Sequence, residues 1–276
     1  MAKRNLLILF PDEWLSHSPT MLNLVHTLKD SFDVRVIAVD DGVYRNSSLQ
    51  DPCFQFIKVN RLLAVFCLRR IRILYGVLKS LLLLKELRKF SKAQTIGPVI
   101  GVDSIGLWAA QKVFGSAHFL SLEAKRDYFF RSCRPDGILS VAIQSEERAA
   151  YLFHPTPPRT FLVPNAPFLP EASPGRFAEK KFNGKVIFLG VILPSHGIYA
   201  SLDAMETLAS KGATLTVKGV LYKKHVERTM RRRYRPLFKQ GTVTLDQDYL
   251  AQGDLIPFLS GYSVGLCFYD FGSNFA

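Results

Sequence analysis

Cysteine is scarce in this sequence of 276 residues, and its four cysteines are scattered along the chain. No CxxC pair occurs, and no histidine lies near a cysteine at a spacing typical of zinc ligands. The sequence therefore predicts neither a structural zinc site nor a disulfide framework. We expect Cys53, Cys67, Cys133 and Cys267 to be buried free thiols in a reducing compartment.

Acidic residues are also too few to balance the basic ones. The chain has 36 Lys and Arg against 23 Asp and Glu, which gives a formal net charge of +13. Such an excess predicts attraction to polyanions, namely phosphate esters, anionic lipids or nucleic acids. Charge alone does not choose among these three classes.

Long hydrophobic runs are missing as well. No segment reaches the roughly 20 apolar residues that a membrane-spanning helix needs. The N-terminal apolar run, residues 6–11, is too short for the core of a signal peptide and is followed by Asp12 and Glu13. We therefore expect a soluble or peripheral protein.

What the sequence does contain is an alternation of short apolar runs and longer helical patterns. Runs such as "LLILF" and "VRVIAV" are apolar almost throughout, which is typical of parallel strands buried on both faces. Ser18 and Pro19 mark the start of a helix between the first two strands. Strands are predicted at Asn5–Phe10, Asp33–Val39, Phe54–Val59, Pro98–Val102, Ala117–Leu122, Gly137–Ala142 and Thr160–Val163.

A stretch rich in proline and glycine then interrupts the pattern. We predict a linker at 166–184, which separates an N-terminal domain at 1–165 from a C-terminal domain at 185–276. The alternation restarts with "KVIFLG" and reaches a last predicted strand at Ser263–Tyr269. The predicted fold class is α/β, with two Rossmann-like domains of which the second is incomplete.

Four segments carry a resemblance to a known family. They are "GILSVAIQSEERAAYLF" (137–153), "FLVPNAP" (161–167), "KVIFLGVILPSHGIYASLDAMETL" (185–208) and "SVGLCFYD" (263–270). These segments resemble the GT-B glycosyltransferases, and in particular the large retaining family that uses nucleotide sugars. The resemblance implies a nucleotide-sugar donor held by the C-terminal half and an acceptor held by the N-terminal half. It implies no separate cofactor and no metal.

The resemblance also implies a function and a donor site. The function is transfer of a sugar to a glycan or lipid-linked acceptor in cell-surface polysaccharide synthesis. The expected location is the cytoplasm or the inner face of the plasma membrane. The implied donor-binding residues are Gly190, His196, Gly197, Lys218 and Asp270. Val191 and His196 stand where family members usually carry Arg and Lys, and Lys218 is a candidate for the replacement cation.

The chain departs from the family at its end too. Family members continue past the last strand into a helix whose Glu binds the donor ribose, whereas this sequence ends at Ala276. We expect the chain to be a truncated product, a fragment or an incomplete gene. The alternative is a minimal variant that does not need the helix.

Acceptor-side candidates follow strands of the N-terminal half. Ser16, His17 and Ser18 lie in the loop after the first strand, at the edge where parallel sheets bind ligands. His17 is a candidate catalytic residue or a solvated side chain. Ser18 is a candidate acceptor-binding residue, although capping of the following helix is the favoured role.

Two strand-end carboxylates and one turn residue complete the candidates. Asp103 and Glu123 each follow a strand, where a carboxylate can act as a catalytic base or cap a helix. For Asp103 taken alone, capping is the favoured role. Asn165 is a candidate acceptor-binding residue, but a turn role suits asparagine better.

Two basic stretches carry much of the net charge. In 61–89, Arg61, Arg72, Lys79 and Glu86 share one helix face among leucines. This pattern predicts an amphipathic helix that docks on an anionic membrane or simply covers the sheet. The stretch 222–239 is a solvated or membrane-facing helix, and nucleic acid is not the expected partner because no RNA-binding motif accompanies it. The alternative functions are a non-catalytic scaffold for a membrane or partner and a basic RNA-binding protein.

Overall fold

The computed structural model describes residues 3–42, 46, 49–60, 72–93, 97–157, 159–163, 182–221, 224–248, 250 and 254–266. The chain divides into two compact units, Met1–Pro170 and Glu171–Ala276. Most of the predicted linker, 166–181, lies outside the described residues, so the predicted domain boundaries stay predictions.

The first unit contains a parallel sheet of seven described strands in the order β3-β2-β1-β4-β5-β6-β7. The strands are β1 (Arg4–Phe10), β2 (Phe32–Asp40), β3 (Phe54–Lys58), β4 (Val99–Val102), β5 (Ala117–Ser121), β6 (Ile138–Ile143) and β7 (Thr160–Leu162). Each lies within one residue of its predicted bounds at either end, so these seven predictions are confirmed.

Helices cover both faces of this sheet. They are α1 (Pro19–Leu28), α2 (Arg72–Ala93), α3 (Asp103–Phe114), α4 (Tyr128–Arg131) and α5 (Glu146–Leu152). Leu7 and Leu9 of β1 pack in one core with α2 and α3, whereas Ile8 and Phe10 pack in a second core with α1. Burial on both faces is the reason why the strand is apolar at consecutive positions.

The second unit contains a parallel sheet of four described strands in the order β10-β9-β8-β11. The strands are β8 (Lys185–Val191), β9 (Thr214–Val220), β10 (Val243–Asp246) and β11 (Val264–Leu266). The helices are α6 (Ile198–Leu208), α7 (Lys224–Arg233), α8 (Arg235–Lys239) and α9 (Leu255–Leu259). Tyr234 is fully buried in the core, and its hydroxyl donates to Asp203 Oδ1 at 2.6 Å.

Several smaller predictions meet a different outcome. Cys53 and Cys133 are free thiols, as expected, but they are half-buried rather than buried. Cys67 and Cys267 lie outside the described residues, as do residues 267–269 of the predicted last strand. The helix predicted within 61–89 is described from Arg72, and residues 61–71 lie outside the described part of the chain.

The β8–β9 pairing gives a test of the second unit. Gly219 of β9 has φ +151°, and a Cβ there would lie 1.7 Å from the carbonyl oxygen of Gly190 on β8. We expect Gly219→Ala to lower the free energy of unfolding by about 3 kcal/mol or more. Alanine is strained at this φ, and its Cβ would push β8 and β9 apart. The control is Gly265→Ala in β11, where no heavy atom lies within 4 Å of an added Cβ. Urea unfolding measures both changes, and equal losses would contradict the pairing.

Candidate functional site

Each sheet has one place where the strand order changes direction. In the first unit β1 lies between β2 and β4, and in the second unit β8 lies between β9 and β11. The loops that leave the carboxyl ends of these central strands diverge, and α/β sheets bind ligands in the crevice that results. The described candidate residues lie toward the carboxyl ends of the strands at these two edges, one in each unit.

Asp103 is the central polar residue of the edge in the first unit. It directly follows β4 and has a φ of +49°, a backbone conformation that Asp tolerates better than most residues. Its Oδ1 accepts hydrogen bonds from the backbone N–H groups of Leu122 and Glu123 at 2.8 and 2.9 Å. Helix α3 begins at Asp103 itself, so the favoured capping role is wrong. The carboxyl instead fastens the end of β4 to the residues that follow β5.

The environment of Asp103 keeps its second oxygen protonated. The residue is 7% exposed, and Oδ2 has no hydrogen-bond partner among the described residues. Burial, followed by the negative charge of Asp12, raises the pKa of Asp103 to about 8. The two N–H groups oppose this shift without reversing it. The carboxyl therefore holds a proton near neutral pH.

A buried lysine joins the same edge from helix α2. Lys79 Nζ lies 2.9 Å from Asp12 Oδ1 and 3.2 Å from Glu13 Oε1, both in the loop after β1. Burial lowers the pKa of Lys79, but the two carboxylates outweigh it and the pKa is raised. Lys79 thus faces the sheet, which agrees with the predicted alternative in which this helix covers the sheet.

Sequence reasoning missed this contact because 67 positions separate Lys79 from Asp12. The available signal was the pair of acids that directly follows a buried strand, since such carboxylates need a cation nearby. Tyr75, one turn before Lys79 on α2, is also buried, and its pKa is raised by burial and by Glu13. Helix α2 therefore supplies two side chains to this edge.

The loop after β1 holds its serines inward. The backbone N–H of Ser16 donates to Asn46 Oδ1 at 3.0 Å, and Ser16 Oγ lies 3.0 Å from His17 Nδ1. Ser18 takes the N-cap position of α1 with Pro19 after it, but its side chain makes no capping hydrogen bond. Ser16 and Ser18 are buried, whereas His17 is half-buried. His17 is therefore the most accessible of the three candidates.

Glu123 is the accessible acid of this edge. Its side chain is 43% exposed and forms an ion pair with Lys125. Its backbone is fixed from two sides, because its N–H donates to Asp103 and its carbonyl accepts from Ser121 Oγ at 3.2 Å. The two acids thus differ in their surroundings. Asp103 is buried and accepts from backbone N–H groups, whereas solvent reaches the carboxylate of Glu123.

The edge of the second unit is built from glycines and a helix start. Gly190 at the end of β8 has φ +138°, and no heavy atom lies within 4 Å of the place where a Cβ would stand. Gly197 has φ +69° and takes the N-cap position of α6 without a side-chain cap. The first backbone N–H groups of α6 thus follow a glycine, an arrangement that favours anions.

His196 links this loop to the strand before it. Its Nδ1 lies 2.9 Å from the carbonyl oxygen of Val191. Since a carbonyl only accepts, Nδ1 carries a proton, and the neutral ring therefore has Nε2 as an acceptor. His196 can donate to a phosphate through Nε2 only when the ring is charged.

Lys218 has its charge balanced within the second sheet. Its Nζ lies 2.5 Å from Asp246 Oδ2 on β10 and 5.3 Å from the ring centroid of Phe258. Burial raises the pKa of Asp246, but the hydrogen bonds from Lys218 and from the N–H of Asp248 outweigh it and the pKa is lowered. Lys218 therefore links β9 to β10 through this ion pair. Its predicted role in donor binding stays a prediction.

The remaining candidates are not placed. Asn165 and Asp270 lie outside the described residues. In the described part of the chain, no group of three or more His, Cys, Asp or Glu side chains lies close enough to hold a metal ion. No helix among the described residues is long and apolar enough to cross a membrane.

The second unit also has a groove of about 420 Å³ away from the predicted donor edge. Lys185, Thr214 and Tyr262 line it at the amino ends of β8, β9 and β11, together with Thr244 and Phe258. Ligands of parallel sheets bind at the carboxyl ends, so this groove is not the candidate site.

No protein-family model matches the sequence. No curated protein matches it either.

Solved structures do match. A mutant of S. aureus TarM, in complex with fondaparinux, alpha-GlcNAc-glycerol and UDP, is similar with a TM-score of 0.57 and 9% identity, over 95% of this chain and 80% of that one. Lipopolysaccharide outer core galactosyltransferase WaaB in its apo form gives 0.51 and 12%, over 93% and 70%. A putative UDP-N-acetylglucosamine 2-epimerase from Listeria monocytogenes gives 0.53 and 12%, over 96% and 74%.

These likenesses show the fold. The chain has a GT-B-like fold with two parallel-sheet domains, as the resemblance implied. Identities near 10% leave the activity open, since an epimerase shares the fold with transferases.

The raised pKa of Asp103 gives a test of the first edge. Between its ordinary value of 3.8 and about 8, the folded chain holds a proton that the unfolded chain releases. Asp103 therefore makes the chain less stable as the pH rises through this window. In Asp103→Asn, the amide oxygen can still accept the two backbone hydrogen bonds, but the side chain cannot ionise. We compare the free energy of unfolding of the variant with that of the unmodified chain. From about pH 5 to about pH 9, we expect this difference to shift by at least about 1 kcal/mol in favour of the variant.

Urea unfolding across this pH range measures the difference. The control is Asp136→Asn, at an exposed turn of the same unit, which should leave the pH dependence as it is. Parallel pH profiles for the unmodified chain and Asp103→Asn would show that Asp103 does not hold the proton.

Proposed function

We propose that this chain is a glycosyltransferase that moves a sugar from a nucleotide-sugar donor to a glycan or lipid-linked acceptor. The observation that carries the proposal is the loop from Gly190 to the start of α6. It lies at the carboxyl end of the central strand of the second unit, where α/β folds bind nucleotides. The GT-B-like fold supports it, because structures with that fold include WaaB and TarM.

The second unit has the chemistry that a diphosphate leaving group needs. When the sugar departs, its bond to the diphosphate breaks and the leaving oxygen takes the electron pair. Backbone N–H groups at a helix start are preorganised to stabilise that negative charge. Gly190 leaves open space beside the loop, so a phosphate oxygen can approach the backbone. A charged His196 would add a donor at the same loop.

The first unit offers a base for the acceptor. An acceptor hydroxyl must lose its proton as its oxygen bonds to the anomeric carbon of the sugar. We assign this proton to Glu123, because its carboxylate is accessible and its backbone is held by Asp103. Asp103 itself acts as a positioning residue. His17 is the side chain of the neighbouring loop best placed to help bind the acceptor.

The acceptor class is proposed from the relatives in structure. TarM was solved with UDP and alpha-GlcNAc-glycerol, and WaaB is a galactosyltransferase of the lipopolysaccharide outer core. A cell-surface polysaccharide or glycolipid is therefore the class of acceptor that we propose for this chain, with the nucleotide sugar as co-substrate and no further cofactor.

Binding of free nucleotide diphosphates tests the donor site. We expect one of UDP, GDP and ADP to bind the full chain with micromolar affinity in calorimetry. His196→Ala should weaken that binding at least about 10-fold, because a hydrogen bond to a charged group is worth about 1.5–3 kcal/mol.

The matched control is His225→Ala, on the exposed side of α7. It removes a histidine of the same unit without touching the loop, so binding should not change. If none of the three diphosphates binds, or if both histidine variants lose the same affinity, the donor site is misplaced.

A further inference from the structure

The outward face of helix α2 is apolar over its first half. Ile73, Leu74, Val77 and Leu81 are exposed there, with Ile73 at 75% and Leu81 at 57%. In an α-helix, positions 73, 77 and 81 follow one another along a single face, and 74 lies beside them. These side chains therefore form one continuous apolar strip, which the described part of the protein does not cover.

The same face is basic over its second half. Lys85, Arg88, Lys89 and Lys92 are all exposed, and helical geometry places them in line with the apolar strip. Glu86, the one acid of the helix, is half-buried beside this face and pairs with Lys89 at 2.7 Å. The outward face of α2 thus joins four aliphatic side chains to four cations, and the two halves together are the docking face.

The opposite face of α2 holds the helix in place. Leu83 and Leu87 are fully buried in the core of the first unit. Lys79 forms its ion pairs with Asp12 and Glu13 from this covered side. The helix cannot rotate to hide the apolar strip without breaking these contacts, so the exposure of Ile73 and Leu81 is built into the fold.

We propose that the docking face of α2 binds the surface of an anionic lipid bilayer. Aliphatic side chains are stabilised when they enter the boundary between lipid headgroups and acyl chains. Each cation near an anionic surface adds an electrostatic attraction to the lipids. A nucleic acid would satisfy the cations but would leave the aliphatic strip in water. The charge of the chain, +13, agrees with an anionic surface and not with a neutral one.

Docking through α2 would bring the membrane close to the acceptor edge. The helix that carries the docking face also supplies Tyr75 and Lys79 to the residues around Asp12 and Glu13. An acceptor anchored in the bilayer would then meet that edge without leaving the lipid. This last step rests on the proposed function, whereas docking itself does not.

Sedimentation with vesicles tests the proposal. The full chain is mixed with vesicles of phosphatidylcholine alone or with about one quarter phosphatidylglycerol. We expect at least about 10-fold stronger binding to the anionic vesicles, weakened by salt. Two variants divide the docking face: Ile73→Ser with Val77→Ser and Leu81→Ser, and Lys85→Gln with Arg88→Gln and Lys92→Gln. Each should lose at least about 10-fold in binding to the anionic vesicles.

The control removes the same charge elsewhere. Arg232, Arg235 and Lys239 are exposed on α7 and α8, and their joint change to Gln lowers the net charge by the same amount. This control should keep most of the binding, and circular dichroism should show all variants folded. Equal losses in the control and in the basic variant would overturn the proposal, as would equal binding to both kinds of vesicle.

Two further readouts separate this proposal from its alternatives. Tight binding of a single-stranded RNA that the basic variant loses, together with no binding to vesicles, would overturn docking in favour of nucleic acid. Calorimetry with UDP, GDP and ADP is repeated on the apolar variant, which should bind nucleotide like the unmodified chain. Vesicle binding without nucleotide binding would keep the docking face and reject the donor site, and the reverse result would reject the docking face alone.

Discussion

β1 pairs in parallel with β2 and β4, and β8 pairs in parallel with β9 and β11. This pairing imposes the rest of the architecture. Parallel strands need crossovers, the crossovers place helices on the sheet, and the loops leave from the same edge. The open place at that edge lies beside the central strand. The polar groups of the first unit and the glycine loop of the second both lie there.

The two edges differ in how their charged groups are balanced. In the first unit, two acids that follow strands, Glu13 and Asp103, are buried. Lys79 pairs with Glu13, and backbone N–H groups donate to Asp103. In the second unit, α6 begins after Gly197 without a side-chain cap, and the charge of the nearby Lys218 is balanced by Asp246. These differences are the reason why we propose hydroxyl chemistry at the first edge and phosphate binding at the second.

The sequence predicted the elements far better than it predicted the side-chain contacts. Strands such as Asn5–Phe10 can be predicted because they are apolar at consecutive positions. Every residue from Leu6 to Phe10 is buried in the structure. The position of Ser18 before Pro19 likewise located the start of α1. These signals are local, since they depend on which residues neighbour each other in the chain.

Contacts between distant segments had no such signal. Asp103 looked like a helix cap because a helix follows it, yet its partners lie 19 and 20 residues further along. Lys79 looked like part of a basic face, and only the folded sheet brings it to Asp12. Lys218 was chosen as a spare cation because its partner Asp246 sits on another strand. In each case the packing of segments that are distant in the chain decides the role of the side chain.

The start of α6 is the proposed binding site for a nucleotide diphosphate. NMR of the backbone amides, with UDP, GDP and ADP added in turn to the full chain, is the decisive experiment for this site. We expect one of these ligands to shift the amides of Gly197, Ile198 and Tyr199 more than any others of the second unit. Shifts centred on the groove at Thr214 and Tyr262, or spread over the basic surface of α7, would contradict it.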